Sequence, residues 1–165
     1  MSTTTENLKA AFAGESQANR KYLAFAERAE KDGYPQVARL FRAAAAAETV
    51  HAHSHLNVLE GVKTTVENLE AGIEGENYES VAMYPEFIEQ AEEEGNKNAV
   101  RTFKRALAAE KVHEQLYREA LENLDKEEES YDYYVCPVCG HTQGHHAPDK
   151  CPVCGVKGER FFHIK

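Results

Sequence analysis

The sequence AETVH at positions 47–51 recurs as AEKVH at positions 109–113, so a glutamate stands three residues before a histidine twice in this chain. The surrounding residues repeat too, with a shift of 61 or 62 positions that pairs Glu15 with Glu76 and Tyr22 with Tyr84. Chance rarely copies spacing and chemistry together, so we interpret these two regions as an internal repeat.

Composition limits the class of protein. The chain has 165 residues, of which 42% are hydrophobic and 28% charged, enough for one good core and a small appendage. Its 28 acidic and 19 basic residues give a net charge of -9, which opposes binding to nucleic acid. No apolar run approaches the roughly 20 residues that span a bilayer, and the polar first residues do not form a secretion signal. We therefore expect a cytoplasmic protein with no nucleic-acid or membrane partner.

Hydrophobic periodicity predicts four long helices, separated by Gly33 with Pro35, by Gly61 and by Gly95. Their expected ranges are 6–31, 36–60, 66–94 and 97–128. From Tyr131 the composition changes to cysteine, proline, glycine, histidine and aromatic residues. We therefore predict two domains, a helical bundle over residues 1–128 and a small metal-binding domain over residues 129–165.

Acidic residues interrupt the apolar faces of the predicted helices, as Glu15 does on the face of Leu8 and Phe12. Five carboxylates in one core would prevent folding unless cations neutralise them. Two divalent ions would nearly balance five glutamates, and mixed carboxylate and imidazole ligands suit iron or manganese. The candidate metal-binding and catalytic residues are Glu15, Glu48, His51, Glu76, Glu79, Glu110 and His113. The alternative interpretation is that these residues form ordinary surface pairs on acidic helices.

Four cysteines lie in two CPVCG units, at positions 136–140 and 151–155. Two such units predict a tetrahedral thiolate site built from Cys136, Cys139, Cys151 and Cys154. About 35 residues cannot build a core of their own, so the metal must stabilise this segment. Spacing alone does not separate a redox-active Fe(Cys)4 centre from a structural zinc site. The histidines of this segment are expected at the surface: His141, His145, His146 and His163.

Together these residues resemble the rubrerythrin family, from Glu6 to the end of the chain. The resemblance is carried by AFAGESQA at positions 11–18, GENYE at positions 75–79, MYP at positions 83–85, the two Glu-x-x-His motifs and the four cysteines. It implies an all-α ferritin-like four-helix bundle with a di-iron centre. It also implies a small C-terminal rubredoxin-like domain with short β hairpins, and it favours iron over zinc at the cysteines.

The resemblance further implies a peroxidase of oxidative-stress defence, which reduces hydrogen peroxide to water with electrons passed through the mononuclear iron. Glu15 and Glu76 would each hold one iron, and Glu48 and Glu110 would bridge the two ions. His113 would complete the shell of one ion. In the family one iron exchanges a histidine for a glutamate as its oxidation state changes, and the matching residues here are His51 and Glu79.

Electrons must come from outside this chain. The ten glycines form no dinucleotide-binding motif, so we expect an external donor such as a rubredoxin or a separate NAD(P)H-dependent reductase. Two other functions remain open at this point. One is ferritin-like iron oxidation and storage, and the other is a metal or redox sensor that carries a zinc ribbon.

The connection between the second and third helices is short for a ferritin-like bundle, which needs a long crossover. Residues 61–65 reach about 17 Å, whereas a 25-residue helix is about 38 Å long. We therefore expect a homodimer that exchanges helical hairpins. Each bundle would take Glu15, Glu48 and His51 from one chain and the other four ligands from its partner. The competing arrangement is an up-down-up-down monomer.

Overall fold

The computed structural model describes residues 2–126 and 130–165. The chain packs as two compact units, Met1–Lys63 and Thr64–Lys165. The domain boundary predicted between residues 128 and 129 lies outside the described residues. The second unit contains both the third and fourth predicted helices and the cysteine-rich segment.

The first unit is a pair of helices, α1 (Thr4–Lys31) and α2 (Pro35–Val58). Thr3 and Glu6 cap α1 reciprocally, and Pro35 lies in the first turn of α2, where a missing N–H costs nothing. Gly33 has a positive φ of 82°, which lets the chain reverse within three residues. The buried contacts between the helices come from the small side chains of Ala26, Ala29 and Ala38, and the partly buried Phe41 packs against them.

Asn19 is the buried polar residue of this helix pair, with 7% of its surface exposed. Its side-chain N–H group donates to the carbonyl oxygen of Ala45 at 2.6 Å and to Oγ1 of Thr49 at 2.8 Å. These hydrogen bonds join α1 to α2 at the first Glu-x-x-His motif, since Thr49 lies between Glu48 and His51. Asn19 therefore fixes the position of α1 along the axis of α2.

The second unit begins with α3 (Thr65–Tyr78), a π-helical turn (Glu79–Met83) and α4 (Tyr84–Glu93), and continues with α5 (Lys97–Glu122). Thr64 and Glu67 cap α3 reciprocally, and the side chain of Asn96 caps α5. The third predicted helix is therefore present, but five of its residues form a wider turn. The fourth predicted helix ends at Glu122 in the structure.

The π-helical turn explains why the repeat shifts from 61 to 62 positions. Glu15 and Tyr22 are seven residues apart, which brings them to the same face of a continuous α-helix. Glu76 and Tyr84 are eight residues apart, so one residue too many lies between them. A π-helical turn absorbs a single extra residue and returns the helix to its original phase. The extra residue therefore leaves the apolar face of the helix intact.

A three-ring aromatic cluster is present in each half of the repeat. Tyr22, Phe25 and Phe41 have ring centroids 5.5 to 6.3 Å apart. Their counterparts in the second half lie 5.7 to 6.4 Å apart, and they are Tyr84, Phe87 and Phe103. The nearly equal separations show that both halves pack one helix onto the next in the same way.

The cysteine-rich segment forms a three-stranded antiparallel sheet in the order β2-β1-β3. The strands are β1 (Tyr133–Val135), β2 (Thr142–Gly144) and β3 (Phe162–Ile164), with a 3₁₀ turn at Gly158–Arg160. Three cysteines and Phe161 form its buried core. The predicted short β hairpins are therefore present. Within the described residues, no helix is long and apolar enough to cross a membrane.

Candidate metal centres

The first unit brings together three of the predicted ligands, Glu15 from α1 and Glu48 and His51 from α2. Their potential ligand atoms all lie within 4.8 Å of one another. Nδ1 of His51 is 2.9 Å from Oε2 of Glu48 and 3.9 Å from Oε1 of Glu15. Glutamate and histidine three positions apart share one side of α2, which accounts for the first of these distances.

The second unit repeats this group with Glu76 from α3 and Glu110 and His113 from α5. Nδ1 of His113 is 2.8 Å from Oε2 of Glu110 and 3.8 Å from Oε1 of Glu76. The two groups therefore agree to 0.1 Å in both distances. Each presents two carboxylates and one imidazole nitrogen, a donor set that suits iron or manganese.

Burial distinguishes the two histidines. The side chain of His51 is 54% exposed, whereas that of His113 is 26% exposed. Nε2 of His113 lies 2.9 Å from Oγ1 of Thr142 and 3.2 Å from the carbonyl oxygen of Gly140, both in the cysteine-rich segment. His113 is therefore held at both ring nitrogens.

The second group favours protonation in the absence of a metal ion. Burial, followed by the charge of Glu110 and a hydrogen bond with it, raises the pKa of Glu76 to about 7. The hydrogen bond between Glu110 and His113 lowers the pKa of Glu110 and raises the pKa of His113. Without a metal ion, protons therefore neutralise part of the negative charge of this group. A divalent cation would neutralise the same charge, which fits a metal site.

Glu79, the seventh predicted bundle ligand, lies at the start of the π-helical turn and outside the two groups of three. Burial raises its pKa, with a further contribution from the charge of Glu110. Its own charge in turn contributes to raising the pKa of Glu76 and of Tyr84. Glu79 is therefore a nearby carboxylate that acts on this group electrostatically. The corresponding position in the first half is occupied by Ala18.

The four cysteines come together as predicted, with all four Sγ atoms within 4.8 Å of one another. Sγ of Cys136 is 3.5 Å from that of Cys154, and Sγ of Cys139 is 3.5 Å from that of Cys151. A tetrahedron with metal–sulfur bonds of about 2.3 Å has edges of about 3.8 Å. The four sulfurs therefore fit around one tetrahedral ion.

Both CPVCG units fold into the same tight turn. Gly140 donates its N–H to the carbonyl of Cys136 at 3.0 Å, and Gly155 donates to the carbonyl of Cys151 at 2.9 Å. The two glycines have φ angles of +79° and +75°, a region that glycine enters without strain. Each turn directs its two cysteine sulfurs inward, and glycine adopts the positive φ of this turn without strain.

The environment of the thiols also favours a bound ion. Burial opposes ionisation of Cys151, yet N–H groups of Cys154 and Val153 and the thiol of Cys139 lower its pKa to about 7. Burial raises the pKa of Cys139 and of Cys154, and hydrogen bonds with neighbouring thiols, Cys136 and Cys151 among them, raise both values further. A divalent or trivalent ion would stabilise all four sulfurs as thiolates.

His141 contradicts the prediction that the histidines of this segment are at the surface. It is 8% exposed, and within the described residues neither ring nitrogen has a hydrogen-bond partner. Burial lowers its pKa, and the charge of His113 lowers it further. The prediction was wrong because the backbone of His141 takes part in the first cysteine turn. The carbonyl of His141 accepts a hydrogen bond from the N–H of Cys136 at 2.9 Å, which draws the residue inward. His145 and His146 are exposed, as expected, as is His163.

Comparison with known proteins agrees with this arrangement. The family model Rubrerythrin matches residues 6–121, and the model Rubrerythrin, rubredoxin-like domain matches residues 134–162. The chain belongs to the rubrerythrin family. The predicted fold class, a helical domain followed by a small rubredoxin-like metal-binding domain, is therefore confirmed.

Individual rubrerythrin relatives match over nearly the whole chain. Rubrerythrin-2 of Clostridium acetobutylicum is 38% identical over 96% of this chain and 95% of its own length. Nigerythrin of Nitratidesulfovibrio vulgaris is 41% identical over 92% of this chain and 82% of its own length. A solved structure of nigerythrin in its fully reduced, all-ferrous state has a TM-score of 0.61 and 38% identity, covering 99% of this chain and 88% of that one.

Two features that contribute to these centres were missed by reasoning from the sequence. The π-helical turn was signalled by the change of the repeat shift from 61 to 62 between Glu76 and Tyr84. No local pattern in the sequence predicts the hydrogen bonds from His113 to Gly140 and Thr142, because they join residues 27 and 29 positions apart in the chain.

Proposed function

We propose that this protein is a non-haem di-iron peroxidase, which reduces hydrogen peroxide to water as part of oxidative-stress defence. The observation that carries the proposal is the repeated group of two glutamates and one histidine, equal to 0.1 Å in its two halves, in a chain that also has four convergent cysteines. Iron is favoured at both kinds of site because a relative, nigerythrin, is known in an all-ferrous state.

The residues divide into three roles in this proposal. Glu15, Glu48 and His51 form one half of the di-iron site, and Glu76, Glu110 and His113 form the other, with Glu79 as an additional carboxylate. Iron held by these residues would supply the two electrons that split the oxygen–oxygen bond of peroxide, and two protons would be taken up as two water molecules form. Cys136, Cys139, Cys151 and Cys154 hold the ion through which the electrons from an external donor enter.

The extra carboxylate has an electrostatic reason. A more highly charged ferric ion is stabilised by one more anionic ligand, whereas a ferrous ion is satisfied by a neutral imidazole. Glu79 supplies such a carboxylate, and the more exposed histidine, His51, is the ligand with room to leave. The exchange of a histidine for a glutamate that the family resemblance implies would therefore fall on His51 and Glu79.

A cysteine-coordinated iron also distinguishes this proposal from iron storage, which has no use for an attached electron-transfer site.

The decisive experiment combines metal analysis with anaerobic stopped-flow spectroscopy of the fully reduced protein. We expect about three iron ions per chain, or two with one zinc, and faster oxidation by stoichiometric peroxide than by dioxygen. Faster oxidation by dioxygen, with iron accumulating beyond the site residues, would favour storage. A colourless protein that holds zinc and does not react with peroxide would favour the sensor.

We also propose that the protein is a homodimer that exchanges helical hairpins. The short connection between α2 and α3 supports this, as do large apolar side chains of the first unit that are exposed in the single chain, such as Leu40 at 67% and Val50 at 63%. A second copy of the chain would cover such side chains.

Complementation between two inactive chains tests the exchange directly. One chain would carry Glu48→Ala with His51→Ala, and the other Glu110→Ala with His113→Ala. In an exchanged heterodimer, one bundle takes its first hairpin from the second chain and its second hairpin from the first, so one intact site is restored. Without exchange both bundles remain defective. We expect the co-expressed pair to recover up to half of the di-iron content of a normal dimer, and no recovery would exclude the exchange.

External partners remain part of the proposal. The electron donor is a rubredoxin or a separate NAD(P)H-dependent reductase, since the four-cysteine site is a one-electron carrier. A reconstituted assay with each donor, following NAD(P)H consumption upon addition of peroxide, distinguishes them. We further propose that the protein acts in the cytoplasm, where thiols are kept reduced.

A further inference from the structure

Among the described residues, His113 is the predicted bundle ligand whose imidazole is also hydrogen-bonded to the cysteine-rich segment. Its Nδ1 faces Oε2 of Glu110 at 2.8 Å. Its Nε2 faces the Thr142 hydroxyl at 2.9 Å and the Gly140 carbonyl at 3.2 Å. Each nitrogen therefore has its own set of neighbours.

These neighbours determine which nitrogen carries a proton. A carbonyl oxygen only accepts hydrogen bonds, so an unprotonated Nε2 at 3.2 Å from Gly140 would place two lone pairs against each other. The Thr142 hydroxyl donates to the same carbonyl at 3.1 Å, which leaves its oxygen free to accept from His113. Nε2 is therefore the protonated nitrogen. Nδ1 also donates, to Oε2 of Glu110, while no metal ion is bound. A metal ion that displaces the Nδ1 proton would leave Nε2 protonated and Nδ1 with a lone pair directed at the ion.

The backbone that supplies these acceptors is part of the first cysteine turn. Gly140 directly follows Cys139 and has a φ of +79°. It lies against α5, since a Cβ atom at Gly140 would be 3.8 Å from Cβ of Ala109, the residue before Glu110. The turn that places the Cys139 sulfur therefore also sets the distance from Gly140 and Thr142 to His113.

We propose that Thr142 and the Gly140 carbonyl are positioning groups for His113, which hold its ring in the tautomer that presents Nδ1 to a metal ion. This inference rests on the proposed metal binding by Glu76, Glu110 and His113. It makes His113 a fixed ligand, in contrast to the more exposed His51. It also makes the metal affinity of this group depend on the folded four-cysteine segment.

The test uses the full-length protein with one equivalent of Zn²⁺, which the thiolates prefer, and Co²⁺ titrated into the bundle against a chelating dye. The informative variant is Thr142→Val, which removes the hydroxyl and keeps the shape. Loss of a group that orients a histidine ligand typically weakens metal binding 10- to 100-fold, and we expect about 10-fold because the Gly140 carbonyl remains. Thr142→Ser should restore the affinity, and Thr102→Val, at an exposed position of α5, should leave it unchanged.

A second measurement separates positioning from a merely structural role. In the Co²⁺-loaded protein, the ring N–H proton of each histidine ligand gives a strongly shifted NMR signal. We expect one of these protons to exchange slowly with water, and Thr142→Val to accelerate its exchange. Normal affinity and normal exchange in Thr142→Val would overturn the inference, as would equal losses in Thr142→Val and Thr142→Ser. A wild-type chain that binds no Co²⁺ in the bundle would overturn the proposed function as well.

Discussion

Nδ1 of His113 lies 2.8 Å from Oε2 of Glu110, whereas it is 3.8 Å from Oε1 of Glu76. The hydrogen bond with His113 lowers the pKa of Glu110, and burial together with the charge of Glu110 raises the pKa of Glu76 to about 7, so Glu76 is the carboxylate that holds a proton. A metal ion that takes this position must displace that proton. Metal binding and protonation therefore compete for the same carboxylate.

The first prediction concerns the stability of the protein with no ion in the bundle at different pH values. The pKa of Glu76 rises from 4.5 to about 7 on folding, and that of His113 is raised too. The folded state therefore binds more protons than the unfolded state between these pH values, and stability falls as the pH rises. We expect the melting temperature of the protein with Zn²⁺ at its cysteines and no ion in the bundle to decrease from about pH 5 to about pH 7, and the metal affinity of the bundle to increase over the same range.

Glu76→Gln provides the matched control for this prediction, since it keeps the shape and cannot ionise. Its melting temperature in the same metal state should vary less with pH than that of the wild type. Parallel pH profiles for the two proteins would show that other groups cause the dependence.

The second prediction concerns the π-helical turn. Deleting Val81, which is 67% exposed, makes the second half match the seven-residue spacing between Glu15 and Tyr22. The helix should then continue as a regular α-helix with Glu76 and Tyr84 still in phase. We expect a folded protein that retains metal binding but has lost the placement of Glu79. Its peroxidase activity should fall as far as that of Glu79→Ala, with circular dichroism and metal content measured beside it.

Glu79→Ala in the intact backbone completes this comparison. If the deletion variant kept full activity while Glu79→Ala lost it, the wide turn would not be what places this carboxylate.

The third prediction separates electron entry from peroxide chemistry. Cys139→Ser replaces one of the four sulfurs and changes no bundle ligand. Because the turn at Cys139 also places Gly140 beside His113, both assays use protein whose bundle ions have been counted by metal analysis. We expect turnover with an external donor to be lost. Oxidation of a chemically pre-reduced protein by one equivalent of peroxide should proceed at a rate close to that of the wild type, as followed by stopped-flow absorption. Equal losses in both assays would contradict this division of roles.

The fourth prediction concerns Asn19, whose two hydrogen bonds join α1 to α2. Asn19→Ala removes buried bonds and leaves Thr49 without this donor, which typically costs about 1–3 kcal/mol. We expect a lower denaturation midpoint in urea, with the four-cysteine absorption unchanged. Gln17→Ala, at an exposed position two residues away, should have little effect. Equal effects of both substitutions would exclude the specific role of Asn19.

Much of this fold follows from local patterns in the sequence. Helix phase is a property of neighbouring residues, so the apolar stripes and the glycines at positions 33 and 95 locate the helices to within a few residues. The paired CPVCG units likewise specify their own turns, because a cysteine, a short turn and a glycine at positive φ form a self-contained unit. The grouping of Glu48 with His51 and of Glu110 with His113 follows from helical spacing alone.

The features that were not predicted depend on contacts between distant parts of the chain. The burial of His141 and the bonds from His113 to Gly140 and Thr142 arise where the cysteine segment meets α5. The hydrophobic periodicity of a helix carries no information about contacts with distant parts of the chain. The π-helical turn is different, because the changed spacing between Glu76 and Tyr84 was visible beforehand as an irregularity of the repeat.

The inserted residue, and the acid that precedes it, make the two halves of the repeat unequal. Where one copy has a methyl group at Ala18, the other has an acid at Glu79, so the two ions that such a protein would hold face unequal surroundings. In such a pair one ion can change its ligands as its charge changes, while its neighbour keeps the same ones.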